Sequence, residues 1–267
     1  PVGGNVKVAS FNVLNYFTAY TNGGGTANGC TLGGNTSTSN CRGADNATEF
    51  GRQQTKIVEA MAAINADVLG LMEIQNNGNT AAQNLVSALN ARVGAGTYAT
   101  TALPANTGSD AIRVAVIYKP ARLTPAVAAV SDNDPINSRP TLAQTFSLAN
   151  GEKFSLFVNH LKSKGSCPAV GSADYNGNFD SGDGQGCWNL LRTQQAQRLH
   201  TFVGERLAAT GTTAALLIGD MNAYGQEDPI FTLNGNGYAD QVLRFHAFGY
   251  SYVFDGGAGR LDHALAN

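Results

Sequence analysis

Short apolar runs that end in polar side chains recur along this sequence, and residues 216–222 give the clearest example. Leucine, leucine and isoleucine are followed by Gly219, and then by Asp220 and Asn222 with one methionine between them. Alternate residues of a β-strand point to the same face, so this carboxylate and this amide would leave the strand end in the same direction. Ligands of layered α/β folds often bind at such strand ends. The competing interpretation is a turn in which Asp220 and Asn222 bond only the backbone.

The remaining hydrophobic pattern predicts more strands and three helices. Apolar runs or alternation predict strands at residues 6–13, 68–74, 112–118, 126–130, 153–158 and 260–266, and one through residue 146. Apolar positions at helical spacing predict helices at residues 46–64, 80–93 and 188–209. Asn46 and Glu49 have the spacing of a capping box at the start of the first helix. Residues 225–259 are expected to form loops and short pieces.

Many strands interleaved with few helices predict a layered α/β (α+β) fold. We expect a four-layer sandwich, in which two mixed, mainly antiparallel β-sheets pack face to face with the helices on the outside. A chain of 267 residues suits one large layered domain. Since no internal repeat or linker is visible, residues 1–267 are predicted to form a single domain.

The composition narrows the range of binding partners. Only 13% of the residues are charged and the formal net charge is −2, so no global basic field attracts nucleic acid. Binding to a polyanion must therefore depend on local groups or on a metal. No stretch reaches the roughly 18 apolar residues of a membrane span. No feature indicates an obligate protein partner, and we expect a monomer that does not contact a membrane.

The four cysteines form two local pairs, Cys30 with Cys41 and Cys167 with Cys187. They lie in two loops rich in small polar residues, 18–47 and 162–187. Neither pair has the short spacing of a zinc site, so we expect two disulfides. Four cysteines allow three pairings, and this one is favoured by locality alone. Disulfides imply an oxidising compartment, so the protein is expected to be secreted or extracellular, with the periplasm or the cell surface as alternatives.

Polar residues at the ends of the predicted strands suggest one shared site. These residues are Asn12, Glu73, His160, Asp220, Asn222 and Asp262. Hard oxygen ligands without cysteine or clustered histidine suit Mg²⁺, Mn²⁺ or Ca²⁺. A metal carboxylate, a histidine and amide donors are also what the hydrolysis of a phosphodiester requires. Taken singly, Asn12 could equally cap a strand and His160 could equally be a structural histidine.

Four short motifs resemble those of the endonuclease/exonuclease/phosphatase superfamily, which includes DNase I and the apurinic endonucleases. They are Ser-Phe-Asn-Val at 10–13, Leu-Met-Glu-Ile at 71–74, Asn-His-Leu-Lys at 159–162 and Gly-Asp-Met-Asn at 219–222. Residues 15–17, the cysteine pairs and residues 250–256 are most similar to secreted bacterial extracellular DNases. The resemblance spans residues 6–266 and implies the four-layer sandwich.

The resemblance implies a role for each matching residue. Glu73 is similar to the metal carboxylate of the family, assisted by Asn12, with Mg²⁺ or Mn²⁺ as the ion. Asp220 and Asn222 match the pair that positions the attacking water or leaving oxygen and contacts the phosphate. His160 resembles the DNase histidine that acts as acid or base. Two further matches are Arg139, similar to a phosphate-binding arginine, and Asp110, similar to the carboxylate that pairs with the first catalytic histidine.

The sequence departs from the family pattern near its end. Residues 260–262, Arg-Leu-Asp, are similar to a motif whose aspartate, here Asp262, orients a second catalytic histidine. His263 is then expected to be an ordinary strand residue, with a role in the site left open. The family's terminal Ser-Asp-His normally follows a few tens of residues later. We therefore expect the chain to stop before its last catalytic strand, which puts the activity of this fragment in question.

Residues 174–185 have the alternating acidic and amide spacing of a calcium loop, but Phe179 and Gln185 depart from the EF-hand pattern. The loop is expected to be either a flexible acidic loop or a structural Ca²⁺ site.

The function predicted from the sequence is that of a secreted, metal-dependent nuclease that hydrolyses DNA with little sequence specificity, RNA being a second substrate to test. The alternatives are a phosphodiesterase or phosphatase of the same fold acting on lipid or small phosphoesters, and a non-catalytic binding domain.

Overall fold

Two β-sheets pack face to face between two layers of helices in a computed structural model that describes residues 4–267. The first sheet has the strand order β1-β4-β6-β5. Its strands are β1 (Val8–Tyr16), β4 (Val68–Gln75), β5 (Ala99–Thr100) and β6 (Ile112–Tyr118). Strands β1 and β4 are parallel, and the other pairs are antiparallel.

The second sheet has the strand order β12-β15-β11-β10-β9-β7, with β8 paired to β9. Its strands are β7 (Thr124–Pro125), β8 (Val130–Ser131), β9 (Leu142–Ser147), β10 (Lys153–His160), β11 (Ala215–Asp220), β12 (Ala239–Asp240) and β15 (Asp262–Ala266). Here β10 and β11 are the parallel pair. Two small hairpins lie outside the sheets: β2 (Cys30–Leu32) with β3 (Asn35–Ser37), and β13 (Tyr252–Phe254) with β14 (Gly257–Gly259).

The helices are α1 (Ala47–Ile64), α2 (Thr80–Val93), α3 (Asn189–Thr210), α4 (Asp228–Gly235) and α5 (Gln241–Phe245), with a 3-10 turn at Thr38–Asn40. The Asn46 side chain accepts hydrogen bonds from the backbone N–H groups of Thr48 and Glu49, as predicted for the cap of α1. Helix α4 was not predicted. It is a short helix that begins at Asp228 and has Pro229 in its first turn, and only three of its residues are buried, too few to give a clear helical period.

Three hydrophobic clusters fill the spaces between the layers. One lies between the first sheet and helices α1 and α2, and includes Met61, Leu71 and Leu85. A second lies between the second sheet and helices α3 and α4. The third, which includes Met72 and Ile218, lies between the two sheets. The predicted four-layer sandwich of two mixed, mainly antiparallel sheets is therefore confirmed.

Both long loops are closed by the predicted disulfides, Cys30–Cys41 and Cys167–Cys187, and the described residues contain no free cysteine. The second loop is also held by Arg192 of α3, which is fully buried. Its guanidinium donates to the carbonyl oxygens of Cys187 at 2.8 Å, Gln185 at 3.0 Å and Lys162 at 3.3 Å. Within residues 4–267, no helix is both long enough and apolar enough to cross a membrane.

Candidate active site

The carboxyl ends of the two parallel strand pairs meet at one edge of the sandwich. Strands β1 and β4 bring Asn12 and Glu73 from the first sheet, and strands β10 and β11 bring His160 and Asp220 from the second. Glu73, His160 and Asp220 each offer one ligand atom, and these atoms all lie within 4.8 Å of one another. Among residues 4–267 this is the one group of three or more acidic, histidine or cysteine side chains close enough to share an ion.

Glu73 reaches this edge through an unusual backbone conformation. Its φ angle is +67° within strand β4, where the pairing register to β6 shifts. A left-handed conformation costs a non-glycine residue about 1–3 kcal/mol and persists only where the surroundings impose it. Glu73 Oε2 accepts a hydrogen bond from the backbone N–H of Asn15 at 2.8 Å. Leu14 and Asn15 also have positive φ angles, so two strained segments hold the carboxylate in place.

Asn12 lies between the two carboxylates. Its amide nitrogen donates to Glu73 Oε1 at 3.0 Å and to Asp220 Oδ2 at 3.3 Å, and its oxygen accepts from the backbone N–H of Leu14 at 2.9 Å. These three hydrogen bonds fix the Asn12 side chain beside Glu73, the predicted metal carboxylate. The amide places a donor where two negative groups converge, which is the position a cation would favour.

Asp220 is placed by the glycine before it. Gly219 has a φ angle of +134°, and a Cβ at this position would lie 2.0 Å from the carbonyl oxygen of Asn159. Only glycine lets strand β11 approach β10 this closely before Asp220 turns into the cleft. Burial raises the pKa of Asp220 to about 7, and the negative charge of Asp262 adds to this effect. Asp262 stands directly opposite Asp220 in the β11–β15 pair.

Asp262 is the third carboxylate of the cleft. Its backbone N–H donates to Ser251 Oγ at 3.1 Å, which ties the strand to the hairpin before it. Burial raises the pKa of Asp262, and the charge of Glu73 raises it further. The three converging carboxylates of Glu73, Asp220 and Asp262 repel one another. A bound cation would offset this repulsion. The donor set of carboxylates, amide and imidazole fits a hard divalent cation.

His160 is buried beside Asp220. Its Nε2 atom lies 3.8 Å from Asp220 Oδ2, and within residues 4–267 its buried Nδ1 atom has no hydrogen-bond partner. Burial lowers the pKa of His160 well below its usual range, and the nearby positive charge of Arg139 lowers it further. The imidazole is therefore neutral at neutral pH.

Asn222 closes the Asp220 turn with a left-handed φ angle of +48°. Its backbone N–H donates to Asp220 Oδ1 at 2.9 Å, and its side-chain nitrogen donates to the carbonyl oxygen of Leu161 at 3.0 Å. The predicted turn is therefore present, and it sets the positions of the two side chains; their role in the site stays a prediction.

Arg139 and Asp110 are paired with each other, and Arg139 contacts the main chain at His160. The Arg139 guanidinium is buried, and it donates to the carbonyl oxygens of His160 at 3.2 Å and Leu161 at 2.5 Å. Asp110 lies 3.6 Å from Arg139 and 3.1 Å from Arg42. Within the described residues Asp110 makes no hydrogen bond to the His160 ring, whose Nδ1 atom has no partner, while Arg139 donates to the main chain of the histidine.

His263 lies outside the cleft. Strand alternation places it on the opposite face of β15 from Asp262, where it is buried. Its Nδ1 atom is 3.0 Å from Asp240 Oδ2, and its Nε2 atom is 2.9 Å from the carbonyl oxygen of Ala223. The structure thus places His263 as a buried strand residue that links β15 to Asp240 of β12 and to the loop after β11.

The cleft above the carboxylates has a volume of about 660 Å³ and an aromatic wall. Tyr252 and Phe254 project into it from strand β13, and Tyr224 lies beside them. Lys164 also lines the cleft, with its ammonium group 5.5 Å from the centre of the Tyr224 ring and paired with Glu227 at 2.6 Å. Sequence reasoning did not assign these residues to the site. The sequence shows that Tyr252 and Phe254 lie on the same face of a strand. It does not show which face of the hairpin lines the cleft.

The acidic side chains of residues 174–185 do not form a close group that could share an ion. Asn178 uses both ends of its side chain within the protein, accepting from the backbone N–H of Leu191 at 2.9 Å and donating to the carbonyl oxygen of Asp174 at 3.0 Å. Asp180 and Asp183 each cap a turn two residues ahead. Within residues 4–267 these acids form no close group of three, so this loop gives no support for a structural Ca²⁺ site.

Divalent cation binding should strengthen as the pH rises through about 7, the pKa of Asp220 in the ion-free protein. The proton on this carboxyl must leave before a cation binds. Because its pKa is raised in the folded state, the contribution of Asp220 to stability is fully present below the unfolded pKa and is lost as the pH rises through about 7. A bound cation would restore that stability.

The increase in melting temperature caused by Mn²⁺ is therefore expected to be larger at about pH 8 than at about pH 6. Asp220→Asn, which cannot ionise, should show a small increase that is equal at both pH values. An equal increase for the wild-type protein at both pH values would contradict the role assigned to Asp220.

Comparison with known proteins places this geometry in a family. The sequence model of the Endonuclease/Exonuclease/phosphatase family matches residues 10–267. A search of curated protein sequences gave no match. Among solved structures, the catalytic domain of human Nocturnin with a bound sulfate anion is 19% identical to this chain. The match covers 80% of this chain and 74% of the Nocturnin chain, with a TM-score of 0.53.

Two other solved structures show the same fold. A mannosyl-6-phosphatase of Bacteroides thetaiotaomicron is 14% identical, with 98% of this chain and 85% of that chain covered and a TM-score of 0.61. D. rerio TDP2, complexed with a single strand DNA product, is 15% identical, with 80% and 75% covered and a TM-score of 0.53. At these identities the likeness shows the fold alone. The match to the family model covers nearly the whole sequence, so the chain belongs to the Endonuclease/Exonuclease/phosphatase family.

Proposed function

We propose that this protein is a metal-dependent phosphodiesterase, specifically a secreted nuclease that hydrolyses DNA with little sequence specificity. The observation that carries the proposal is the convergence of Glu73, His160 and Asp220 at the strand ends, with their ligand atoms within 4.8 Å of one another, beside a cleft that Glu73 and Asp220 line. Membership of the Endonuclease/Exonuclease/phosphatase family supports phosphoester chemistry. The similar fold of TDP2, which holds a single strand DNA product, supports a nucleic acid as the substrate.

The catalytic roles follow from the chemistry of each side chain. A divalent cation, when bound, would polarise a phosphoryl oxygen and screen the charge that develops on it. Glu73 and Asp220 would hold the ion, with Mg²⁺ or Mn²⁺ as the candidates. His160 is neutral and buried, and its Nε2 atom lies 3.8 Å from Asp220 Oδ2; it would accept or return a proton there. The amides of Asn12 and Asn222 would orient the phosphate and the attacking water.

The charge of the protein sets the mode of substrate binding. With a formal net charge of −2, the chain has no global basic field that would attract a DNA backbone. Lys164 is neutralised by Glu227. Contact with the substrate would therefore depend on the cation and on the aromatic wall of the cleft, where base stacking is tolerant of sequence. Weak sequence specificity follows from this arrangement.

Secretion is proposed from the two disulfides. Cys30–Cys41 and Cys167–Cys187 each close a long surface loop, and the described residues hold no reduced cysteine. Disulfides of this kind persist in oxidising compartments. We further propose that the protein acts as a monomer.

Hydrolysis of supercoiled plasmid with Mg²⁺ or Mn²⁺, with and without EDTA, tests the proposal. We expect nicking that requires the metal, is prevented by EDTA and is lost in Glu73→Gln. A small phosphodiester and a phosphomonoester are assayed in parallel. Cleavage of the phosphomonoester alone would replace the nuclease by a phosphatase, and no hydrolysis of any of the three would leave a binding domain as the better interpretation.

Removing the aromatic wall should weaken DNA binding more than it slows chemistry. Stacking of one base on an aromatic side chain is worth about 1–3 kcal/mol, which corresponds to roughly 5- to 150-fold in KM. Tyr252→Ala and Phe254→Ala should each raise the KM for DNA within this range and change kcat less. The matched control is Phe248→Ala, since Phe248 is 95% exposed and does not line this cleft. An equal effect in all three variants would mean that the wall does not bind substrate.

A further inference from the structure

The loop closed by Cys30–Cys41 is connected to the strand that carries Glu73. Gln75 lies two residues after Glu73 in strand β4 and is buried. Its side-chain nitrogen contacts Cys30 Sγ at 3.4 Å, and its oxygen accepts from the backbone N–H of Thr18 at 2.8 Å. Both ends of this side chain are therefore used to join the start of the loop to β4.

The other end of the same loop is connected to the strand that carries His160. Arg42 follows Cys41 directly, and its Nη1 atom lies 3.1 Å from Asp110 Oδ1. The second oxygen of Asp110 lies 3.6 Å from Arg139. Arg139 in turn donates to the carbonyl oxygens of His160 and Leu161. Two arginines and one carboxylate thus join the disulfide to the main chain at the catalytic histidine.

The main chain is what positions His160. Within the described residues the Nδ1 atom of its ring has no hydrogen-bond partner, so no side chain orients the imidazole through that atom. The carbonyl oxygen of Leu161 accepts from Arg139 and also from Asn222 Nδ2 at 3.0 Å. A shift of Arg139 would therefore move His160 and Asn222 together.

We infer that Arg42 and Asp110 are positioning residues, through which the Cys30–Cys41 loop holds His160 and Asn222 in their catalytic geometry. Neither residue touches the cleft, and both act through Arg139. The inference rests on the proposed phosphodiesterase function for its effect on rate, while the structural coupling can be measured without it. A displacement of about 1 Å in a catalytic group can cost on the order of 100-fold in rate.

A positioning role and a purely structural role predict different results at Arg42. Its side chain is 39% exposed, so the ion pair with Asp110 contributes little to stability. Loss of Arg42 should therefore leave the melting temperature almost unchanged. It should lower kcat, because Asp110 would no longer be fixed between two arginines and Arg139 would lose its fixed partner.

The experiment compares Arg42→Ala, Arg42→Lys and the control Arg92→Ala, which removes a similar exposed pair with Glu59 on the helical layer. We expect Arg42→Ala to lower kcat about tenfold or more with KM and melting temperature nearly unchanged, Arg42→Lys to recover most of the loss, and Arg92→Ala to behave as wild type. Unchanged kcat in Arg42→Ala, or the same loss in Arg92→Ala, would overturn the inference.

A spectroscopic arm separates failure of the inference from failure of the proposed function. The imidazole resonances of His160 and the side-chain amide resonances of Asn222 are compared between the wild type and Arg42→Ala. Both should shift, while those of His200, which contacts Tyr238 on the far side of α3, should not. Shifts at His160 and Asn222 in a protein that hydrolyses no phosphoester would keep the coupling and reject the function. Unshifted resonances would reject the coupling whatever the activity.

The disulfide itself is tested by a double-mutant comparison. If the cystine acts through Arg42, the Arg42→Ala effect on kcat should become much smaller in a Cys30→Ser, Cys41→Ser background. A full Arg42→Ala effect in that background would show that the arginine works without the disulfide. If the serine variant fails to fold, the Arg42 series and the resonances decide the question.

Discussion

Glu73→Gln is expected to weaken Mn²⁺ binding by more than about 100-fold, because even residues that only support a metal ligand contribute about 10- to 100-fold in affinity. The Glu73 carboxylate lines the cleft, and the residue has a strained, left-handed backbone conformation with a φ angle of +67°. Glutamine has the same shape and can keep the contact with the backbone N–H of Asn15 through its carbonyl oxygen. The substitution therefore removes the charge without removing the fold.

Calorimetric titration with Mn²⁺ measures this effect directly, and plasmid nicking by the same preparation should fall below detection. The matched control is Glu59→Gln, which removes an exposed carboxylate paired with Arg92 on helix α1. Wild-type affinity in Glu73→Gln would show that the ion binds elsewhere. A similar loss in Glu59→Gln would point to a nonspecific effect of charge.

His160→Ala is expected to lower kcat by about 10²- to 10⁴-fold, the usual contribution of a positioned acid or base. The reason is the environment of the ring, which burial and the charge of Arg139 keep neutral by lowering its pKa. A neutral imidazole 3.8 Å from Asp220 can take a proton from a water molecule or return one to a leaving oxygen. KM should change little, since the ring contributes no charge to binding.

The matched control for this variant is His200→Ala, because His200 lies on α3 and contacts Tyr238 away from the cleft. Melting temperatures are compared in both variants, since removal of a buried ring leaves a cavity. Mn²⁺ affinity in His160→Ala should fall less than in Glu73→Gln. A kcat within about threefold of wild type, well short of the usual contribution, would remove His160 from the chemistry.

Sequence reasoning selected side chains that lie together in the structure, Asn12, Glu73, His160 and Asp220, because the relevant signals are local. A polar residue at the end of an apolar strand is visible within a few positions, and the parallel pairs β1–β4 and β10–β11 then bring such ends together. The four-layer fold and both disulfides were also predicted from local patterns, namely hydrophobic periodicity and the spacing of the cysteines. At Asp220 and Asn222, the predicted turn and the proposed site use the same residues.

The partners of buried charges could not be predicted in the same way. Arg139 and Asp110 fit a family pattern by position, but their contacts depend on Arg42, which belongs to a distant loop. A sequence gives neither the distance between such residues nor the direction of a guanidinium. The orientation of the Asn12 amide is a similar case, because it is decided by two carboxylates from different sheets.

Anomalous diffraction from crystals soaked in Mn²⁺ tests the proposed metal site most directly. The account predicts one strong peak within about 2.6 Å of a Glu73 carboxylate oxygen, next to Asp220 and in the place now spanned by the Asn12 amide. No peak at this position when Mn²⁺ is bound elsewhere, for example among the acids of residues 174–185, would contradict it.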